Sequence, residues 1–119
     1  LPVFAAMVDT LTVRPKNMAK AAAGGFINAT DCADYLVKKG MPFRSAYKIS
    51  GQIVAQCIQE GLVLETLPLA EYQKYSDLFA EDLYNDIDLL TCVEKRISEG
   101  GTSVSSVEAQ IAYVKEHLA

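Results

Sequence analysis

The sequence has 119 residues, of which 50% are hydrophobic and 22% charged, and its net charge is −4. This composition is too apolar for an intrinsically disordered protein, and the length suits a single domain. The acidic balance argues against nucleic acid as a partner, because a negative surface repels phosphate groups. No stretch approaches the roughly 18 apolar residues of a transmembrane helix, so we expect no membrane span.

The chain opens on an apolar segment, LPVFAAMVDTLTV, at residues 1–13. One face of the predicted helix carries Leu1, Phe4, Val8 and Leu11, and apolar residues cover most of the other faces. A helix that is apolar nearly all round is usually buried. We therefore expect this helix to be the end of a longer core helix or to pack into another subunit, and the chain to have been cut from something longer.

Prolines and glycines divide the rest of the chain into helical segments. A proline favours the first turn of a helix, and a glycine favours the position just after its end. The helices predicted after 1–13 are 15–23, 30–39, 42–60, 68–75, 77–86, 88–98 and 103–118. The pattern predicts an all-α fold, a small orthogonal helical domain of stacked helix-turn-helix pairs.

Helix 30–39 carries the fullest set of local signals. Thr30 is predicted to cap its N-terminus, and Asp31 matches the positive end of the helix dipole. Gly40 is predicted to take the left-handed position after the last turn, and Pro42 to start the next helix.

Helix 42–60 has apolar residues at helical spacing and one internal glycine. The predicted buried stripe includes Phe43, Ala46, Tyr47, Ile53, Val54, Cys57 and Ile58. Gly51 is predicted to allow another helix to cross closely, since glycine otherwise costs about 1 kcal/mol relative to alanine inside a helix.

The final predicted helix, 103–118, has apolar residues at alternating spacings of three and four. Such a narrow seam is typical of a helix that meets one partner helix. Its N-terminus has two candidate caps, Ser103 alone or a capping box formed by Ser105 and Glu108.

Candidate catalytic and metal sites are weak. The sole histidine, His117, lies in the last helical turn, where a surface role is the better interpretation. The three cysteines are far apart and none belongs to a CxxC pair, so we interpret them as reduced thiols in a reducing, cytoplasmic compartment and expect no zinc. A divalent-cation cluster at Asp77, Glu81, Asp82, Asp86 and Asp88 lacks EF-hand spacing, and a solvated helix face is favoured.

Two further patterns have ordinary alternatives. Gly100, Gly101, Thr102 and Ser103 precede a helix and could cradle an anion, but a turn followed by a helix cap is favoured. Helices 30–39 and 42–60 have helix-turn-helix form, with Arg44, Lys48, Gln52 and Gln56 in the positions of a DNA reader. The acidic balance argues against DNA binding.

The run ATDCADYLVKKGMPFR at residues 29–44 resembles the C-terminal signature of argininosuccinate lyases. The resemblance continues through Gly51, the stretch 69–79 and Gly100-Gly101-Thr102, and Asn17-Met18 resembles a motif after that family's last long core helix. It covers essentially the whole chain. The signature residues that match are Thr30, Asp31, Gly40, Pro42, Phe43, Arg44, Gly100, Gly101 and Thr102.

The resemblance implies a parent enzyme several times longer, a carbon–nitrogen lyase of arginine biosynthesis that cleaves argininosuccinate into arginine and fumarate by β-elimination. It implies no cofactor, a homotetramer with active sites where three subunits meet, and a C-terminal helical cap on a core of long helices. Residues 1–14 would end that core, and residues 15–119 would form the cap.

No catalytic or substrate-binding residue of that family can be placed in this chain. Met41-Pro42 matches only the middle of the family's catalytic serine loop, because no Ser-Ser precedes it. The signature residues are therefore expected to be structural, with Arg44 in an ion pair within the domain or to the core. The family's Asp-Pro turn is missing from 86–96, which leaves room for Leu89 to extend the preceding helix.

Two other hypotheses remain open. The chain could be a free-standing helical interaction module, or part of a lens-type crystallin derived from the same lyase family. In either case the apolar segment 1–13 predicts that the isolated chain associates with itself.

Overall fold

The computed structural model describes residues 1–118, and α-helix is the only regular secondary structure in that range. The all-α prediction is therefore confirmed for the described residues. The helices are α1 (Pro2–Asp9), α2 (Pro15–Ala23), α3 (Ala29–Lys38), α4 (Phe43–Glu60), α5 (Leu69–Gln73), α6 (Leu83–Ile87), α7 (Leu89–Glu94) and α8 (Val104–Leu118).

One packed body holds the hydrophobic core, and its buried cluster with the apolar residues packed against it runs from Phe26 to Ile87. Helix α3 packs against α4 and α6, and α6 packs against α7. The buried apolar cluster comprises Cys32, Ala33, Tyr35, Leu36, Ala46, Ile53, Cys57, Leu64, Leu67, Tyr72, Phe79, Leu83 and Ile87. The body is closed by aromatic contacts, among them Tyr72 against Phe79 with ring centroids 5.1 Å apart.

The two ends of the chain project from this body. Helices α1 and α2 bury none of their residues, and α8 buries only Ser106. The radius of gyration is 18.3 Å, against about 13.5 Å expected for a compact domain of this length. The molecule is therefore elongated, with extents of 55 × 29 × 22 Å.

The first helix is shorter than the predicted 1–13. It ends at Asp9, and the Thr10 hydroxyl donates to the carbonyl oxygen of Ala6 at 2.9 Å. The residues that follow, Leu-Thr-Val, include two β-branched side chains, which lower helix propensity. Its apolar side chains are exposed in this chain, Phe4 by 65%.

The predicted helix 77–86 is wrong over its first half, because only Leu83–Ile87 is helical. Residues 74–82 form turns. The Gln73 side chain donates to the Phe79 carbonyl at 3.1 Å, and the Ala80 amide donates to the Tyr35 hydroxyl at 3.1 Å. These tertiary bonds replace the helical ones and allow Phe79 to enter the core.

Leu89 does not extend the preceding helix. Asp88 has an extended backbone between α6 and α7, and its carboxylate accepts bonds from the Thr91 amide at 2.9 Å and the Thr91 hydroxyl at 3.0 Å. An aspartate that caps in this way starts a new helix. The helical conformation is therefore interrupted at Asp88, although the Asp-Pro turn is missing.

Helix α4 differs from its predicted packing in two ways. Among residues 1–118, no atom of another element lies within 4 Å of a Cβ built on Gly51, so none of the described helices crosses closely there. The sequence pattern places three further residues in the buried stripe, but their side chains are largely exposed: Phe43 by 56%, Tyr47 by 62% and Ile58 by 64%. The stripe that is buried is narrower and centres on Ile53 and Cys57.

Candidate functional site

The corner between α3 and α4, residues 39–44, is formed by the signature glycine. Gly40 has φ +98°, its amide donates to the Val37 carbonyl at 2.9 Å, and the Met41 amide donates to the Leu36 carbonyl at 3.0 Å. These two bonds define a Schellman motif, for which glycine is strongly preferred. The predicted left-handed Gly40 is confirmed, whereas Pro42 stands at the N-cap of α4, one residue before the helix begins and not in its first turn as predicted.

Thr30 does not cap α3, contrary to prediction. The helix begins at Ala29, so Thr30 lies in the first turn, and Asn28 occupies the N-cap position without a side-chain capping bond. The Asn28 amide group instead donates to Glu65 at 2.9 Å and to the Ile87 carbonyl at 2.8 Å. Asn28 is buried, so both donors are satisfied inside the body.

Asp31, which the sequence assigns only to the helix dipole, forms the most buried ion pair of the described residues. The Arg96 guanidinium donates to both Asp31 oxygens, at 3.1 and 3.0 Å. The Asp31 side chain is 8% exposed and that of Arg96 is 42% exposed. The guanidinium also donates to the Cys92 carbonyl. Hydrogen bonding to Asp31 raises the pKa of Arg96. The bidentate bonds of the pair tie the start of α3 to the end of α7.

A second polar cluster joins α3 to the segment before α6. The Tyr35 hydroxyl donates to Asp82 at 2.5 Å, and the Lys39 ammonium lies 3.1 Å from Asp82 and 4.5 Å from the Tyr35 ring centroid. These donors, Tyr35 first and Lys39 next, lower the pKa of Asp82. Asp82 thus anchors the segment before α6 to α3.

Asp86 and Asp88 also have specific partners. Asp86 accepts from Lys95 at 2.6 Å and from Lys38 at 3.3 Å, while Asp88 caps α7. The predicted solvated acidic face is therefore only partly correct, because Asp82, Asp86 and Asp88 hold helices together. Among residues 1–118, no three His, Cys, Asp or Glu side chains converge as metal ligands would.

The glycine pair at 100–101 forms a tight turn in which the Gly101 amide bonds back to the preceding segment. Gly100 has φ +76°, the Gly101 amide donates to the Ser98 carbonyl at 2.8 Å, and the Thr102 hydroxyl donates to the Val93 carbonyl at 3.2 Å. The Ser103 hydroxyl accepts from the Ser106 amide at 3.2 Å and so caps α8. The predicted turn followed by a helix cap is confirmed, with Ser103 as the direct cap. The hydrogen bonds named above join the turn to other parts of the same chain.

Phe43 and Arg44 lie on the surface of the corner. The rings of Phe43 and Tyr47 are 6.0 Å apart and both are exposed. Arg44 is exposed and forms no ion pair with any of the residues described, so the pair expected within the domain is absent there. Among the residues that the sequence places in the positions of a DNA reader, Gln56 donates side-chain hydrogen bonds to Glu60 and Glu71.

The cysteines and the histidine have no catalytic geometry. All three thiols are free and buried in helices. The pKa of Cys32 and that of Cys92 are raised to about 12, and burial is the main cause. His117 is exposed near the end of α8, where its ring stacks on Tyr113 at 4.0 Å. A thiol at such a pKa stays protonated at neutral pH and is a poor nucleophile.

Sequence reasoning missed Arg96, Tyr35 and Asn28. Their bonds to Asp31, Asp82 and Ile87 span 65, 47 and 59 positions of the chain. No local pattern reports a pairing of that separation. None of the described helices is long and apolar enough to cross a membrane.

Comparison with known proteins identifies the family. The model of the argininosuccinate lyase C-terminal family matches residues 26–94, a range that contains the whole buried apolar cluster. The argininosuccinate lyase of Clostridium beijerinckii is 50% identical over 119 residues, which are 100% of this chain and 26% of that protein. The enzyme of Clostridium botulinum strain Eklund 17B is 52% identical over 118 residues, or 99% of this chain and 25% of that protein.

A third relative, the argininosuccinate lyase of Acetivibrio thermocellus, is 48% identical over 111 residues, which are 93% of this chain and 24% of that protein. The chain thus spans about a quarter of the length of the curated relatives it matches. The resemblance stated from residues 29–44 is confirmed, and the chain belongs to the argininosuccinate lyase C-terminal family.

Proposed function

We propose that this chain is the C-terminal helical domain of an enzyme that cleaves argininosuccinate into arginine and fumarate by β-elimination, in arginine biosynthesis. One observation carries the proposal: the family match, residues 26–94, contains the whole buried cluster and the apolar residues packed against it, which run from Phe26 to Ile87. The relatives at about 50% identity are named for this activity. The parent would be a cytoplasmic homotetramer that needs no cofactor.

In this proposal the chain by itself is structural and inactive. The polar side chains of the body are engaged in holding helices together, as Asp31 with Arg96 and Tyr35 with Asp82 illustrate. The Ser-Ser pair of the catalytic serine loop does not precede Met41-Pro42 in the sequence. Catalysis would then reside in the part of the enzyme that precedes this domain.

The exposed ends of the molecule suggest how the domain is attached. Residues 1–14 would end a long core helix, and residues 15–119 would form the cap. Helix α1 buries none of its apolar residues here, which fits a segment that packs inside an assembly. Among the signature residues, Phe43 and Arg44 are exposed and would contact the core.

The remaining signature residues would serve the cap's own structure. Gly40 and Pro42 form the α3–α4 corner, and Asp31 pairs with Arg96. Gly100, Gly101 and Thr102 shape the turn that leads into α8. Thr30 lies in the first turn of α3, where a small polar residue is tolerated at the surface.

Fragment complementation tests the proposal. The first three quarters of the Clostridium beijerinckii enzyme are co-expressed with this chain, and fumarate release is followed by its ultraviolet absorbance. We expect no turnover from either part alone and restored turnover from the pair. A Gly40→Val variant of this chain, which cannot adopt φ +98° without strain, should fail to restore activity.

An exposed position provides the matched control. Leu90→Ala changes a side chain that is 77% exposed, and it should restore activity as the unchanged chain does. Fumarate release by this chain alone would contradict the structural role. Failure of the pair, with both parts folded by circular dichroism, would contradict the assignment to the lyase.

A free-standing interaction module is the second candidate, and the uncovered apolar helices α1 and α8 favour it. Both candidates predict self-association through α1 when the chain is isolated. Light scattering at high concentration should detect it, and deletion of residues 1–13 should reduce it. Complementation of the lyase separates the two candidates, since a free-standing module would not restore turnover.

A further inference from the structure

Helix α8 carries an apolar seam that nothing in the described chain covers. The seam residues are between 41% and 80% exposed. They follow the alternating three-and-four spacing of a coiled-coil interface. They are Val104, Val107, Ile111, Val114 and Leu118.

The seam lies on a different side of α8 from the contacts with the body. The Ser106 hydroxyl donates to the Ser98 carbonyl at 3.1 Å, and the Gln110 amide donates to the Gly101 carbonyl at 3.0 Å. These two residues mark the side that faces the 98–101 turn. Successive residues are about 100° apart around a helix, so the seam centre lies about 120° from Ser106. A second helix can therefore approach the seam without displacing the turn.

We propose that this seam pairs with the same seam of a second copy of the chain, in antiparallel orientation. Taking the seam as heptad positions a and d, an antiparallel pairing about the midpoint between residues 112 and 113 forms layers of one a and one d residue from the last four seam residues. Val107 then meets Leu118 of the second copy, and Ile111 meets Val114 of the second copy. Each layer combines aliphatic side chains of similar size.

Charge complementarity selects the antiparallel orientation. Glu108 and Lys115 flank the seam at the two e positions, both are exposed, and neither forms an ion pair with another described residue. In an antiparallel pair the e positions face each other, so Glu108 lies beside Lys115 of the second copy, and the contact occurs twice. A parallel pair would instead place Lys115 beside Gln110 and Glu108 beside Ser103.

The size of the seam sets the expected affinity. Fifteen helical residues span roughly 22 Å, about two heptads. Such a short interface falls below the standard size of stable complexes, so we expect a Kd on the order of 100 μM. The Ser103 cap orders the helix before pairing, which reduces the entropic cost of association.

Paired cysteine variants of the full chain test the orientation. Val107→Cys and Leu118→Cys are purified separately, mixed at millimolar concentration and mildly oxidised. An antiparallel pair predicts disulfide dimers in the mixture and few in either variant alone. The native cysteines do not interfere, because all three are buried. Glu116→Cys, which lies on another side of α8, controls for random collisions.

Charge exchange is an independent test by sedimentation. Glu108→Lys and Lys115→Glu should each weaken self-association about fivefold to tenfold, and the double variant should restore it. Glu116→Lys makes the same charge change away from the seam and should leave the affinity unchanged. Circular dichroism verifies that α8 is retained in each variant.

Three results would overturn the proposal: cross-linked dimers of either cysteine variant alone, no cross-linking in the mixture, or a double charge variant that stays as weak as the single ones. The first indicates a parallel pair, and the second indicates another occupant of the seam. The proposal does not depend on the lyase assignment, and complementation of the lyase can fail or succeed independently of it.

Discussion

Asp31 and Arg96 are 65 positions apart in sequence, yet two parallel hydrogen bonds of 3.1 and 3.0 Å join their side chains. The carboxylate is nearly buried, and the guanidinium is partly open to solvent. A bidentate pair of this kind fixes orientation as well as distance. It links the first turn of α3 to the residue at which the chain leaves α7, and so holds the 95–103 segment against the body.

Loss of this pair should destabilise the domain. We expect Arg96→Met to lower the free energy of unfolding by about 1–3 kcal/mol, because it leaves a buried carboxylate without its charged partner. Urea denaturation followed by circular dichroism measures the change. Lys38→Met removes a partner of the more exposed pair with Asp86 and should cost about 0.5 kcal/mol or less. Equal losses in the two variants would contradict this ranking.

Two glycines should respond to alanine in opposite directions. A Cβ on Gly101 would lie 2.1 Å from the Arg96 carbonyl oxygen and 2.8 Å from that of Ser98, so Gly101→Ala should destabilise by about 1–3 kcal/mol. Gly51 lies inside α4 with open space around it, so Gly51→Ala should stabilise by about 1 kcal/mol. Thermal unfolding compares the two. A lower melting temperature for Gly51→Ala would contradict the open surroundings of Gly51.

Acid should weaken the domain through its anchoring aspartates. Bonds from Tyr35 and Lys39 lower the pKa of Asp82. Burial alone would raise the pKa of Asp86, but bonds from Lys95 and Lys38 outweigh it and lower that pKa. A carboxyl with a lowered pKa binds protons more tightly in the unfolded chain, so its contribution is present above the unfolded value of about 3.9 and is lost as pH falls through the folded value.

The free energy of unfolding should therefore fall as pH decreases from about 5 toward 2. Tyr35→Phe removes the first donor to Asp82, and the pKa of Asp82 measured by NMR should rise toward its ordinary value. Tyr47→Phe changes an exposed tyrosine on α4 and should leave the pKa of Asp82 where it is. An unchanged Asp82 titration in Tyr35→Phe would refute the assignment of Tyr35 as its main donor.

The three cysteines should be unreactive until the domain unfolds. Burial raises the pKa of Cys32 and of Cys92 to about 12, and that of Cys57 is raised for the same reason. A disulfide reagent at pH 8 should therefore label no native thiol and all three in urea. Ser105→Cys, at an exposed position of α8, should react at once and serves as the positive control.

The same shifts predict a loss of stability in alkali. A thiol whose pKa is raised by folding is favoured in its neutral form. The thiols' contribution to stability is therefore constant below about pH 8.5, the unfolded value, and falls as pH rises from there. Cys32→Ala and Cys92→Ala variants should show a flatter decline between pH 8.5 and 11. A decline as steep as that of the unchanged chain would assign the alkaline loss to other groups.

Local chemistry determined a large part of this structure. The helix class, the start of α2 at Pro15, the Schellman motif at Gly40 and the left-handed Gly61 at the end of α4 depend on backbone preferences that individual residues carry. The family signature at 29–44 is also readable in the sequence alone. These features need no knowledge of what packs against them.

The tertiary structure decided which side chains those helices bury and which polar groups meet. Phe43 and Tyr47 have helical spacing suitable for a core, but the neighbouring helices leave them exposed. The segment 77–82 has an amphipathic pattern, yet bonds from Gln73 and to Tyr35 convert it into turns. The pairing of Asp31 with Arg96 depends on the same packing, because residues so distant in sequence meet only when the body has folded. Helix propensity is a preference of a fraction of a kcal/mol per residue, and the burial of one aromatic side chain such as Phe79 can override it.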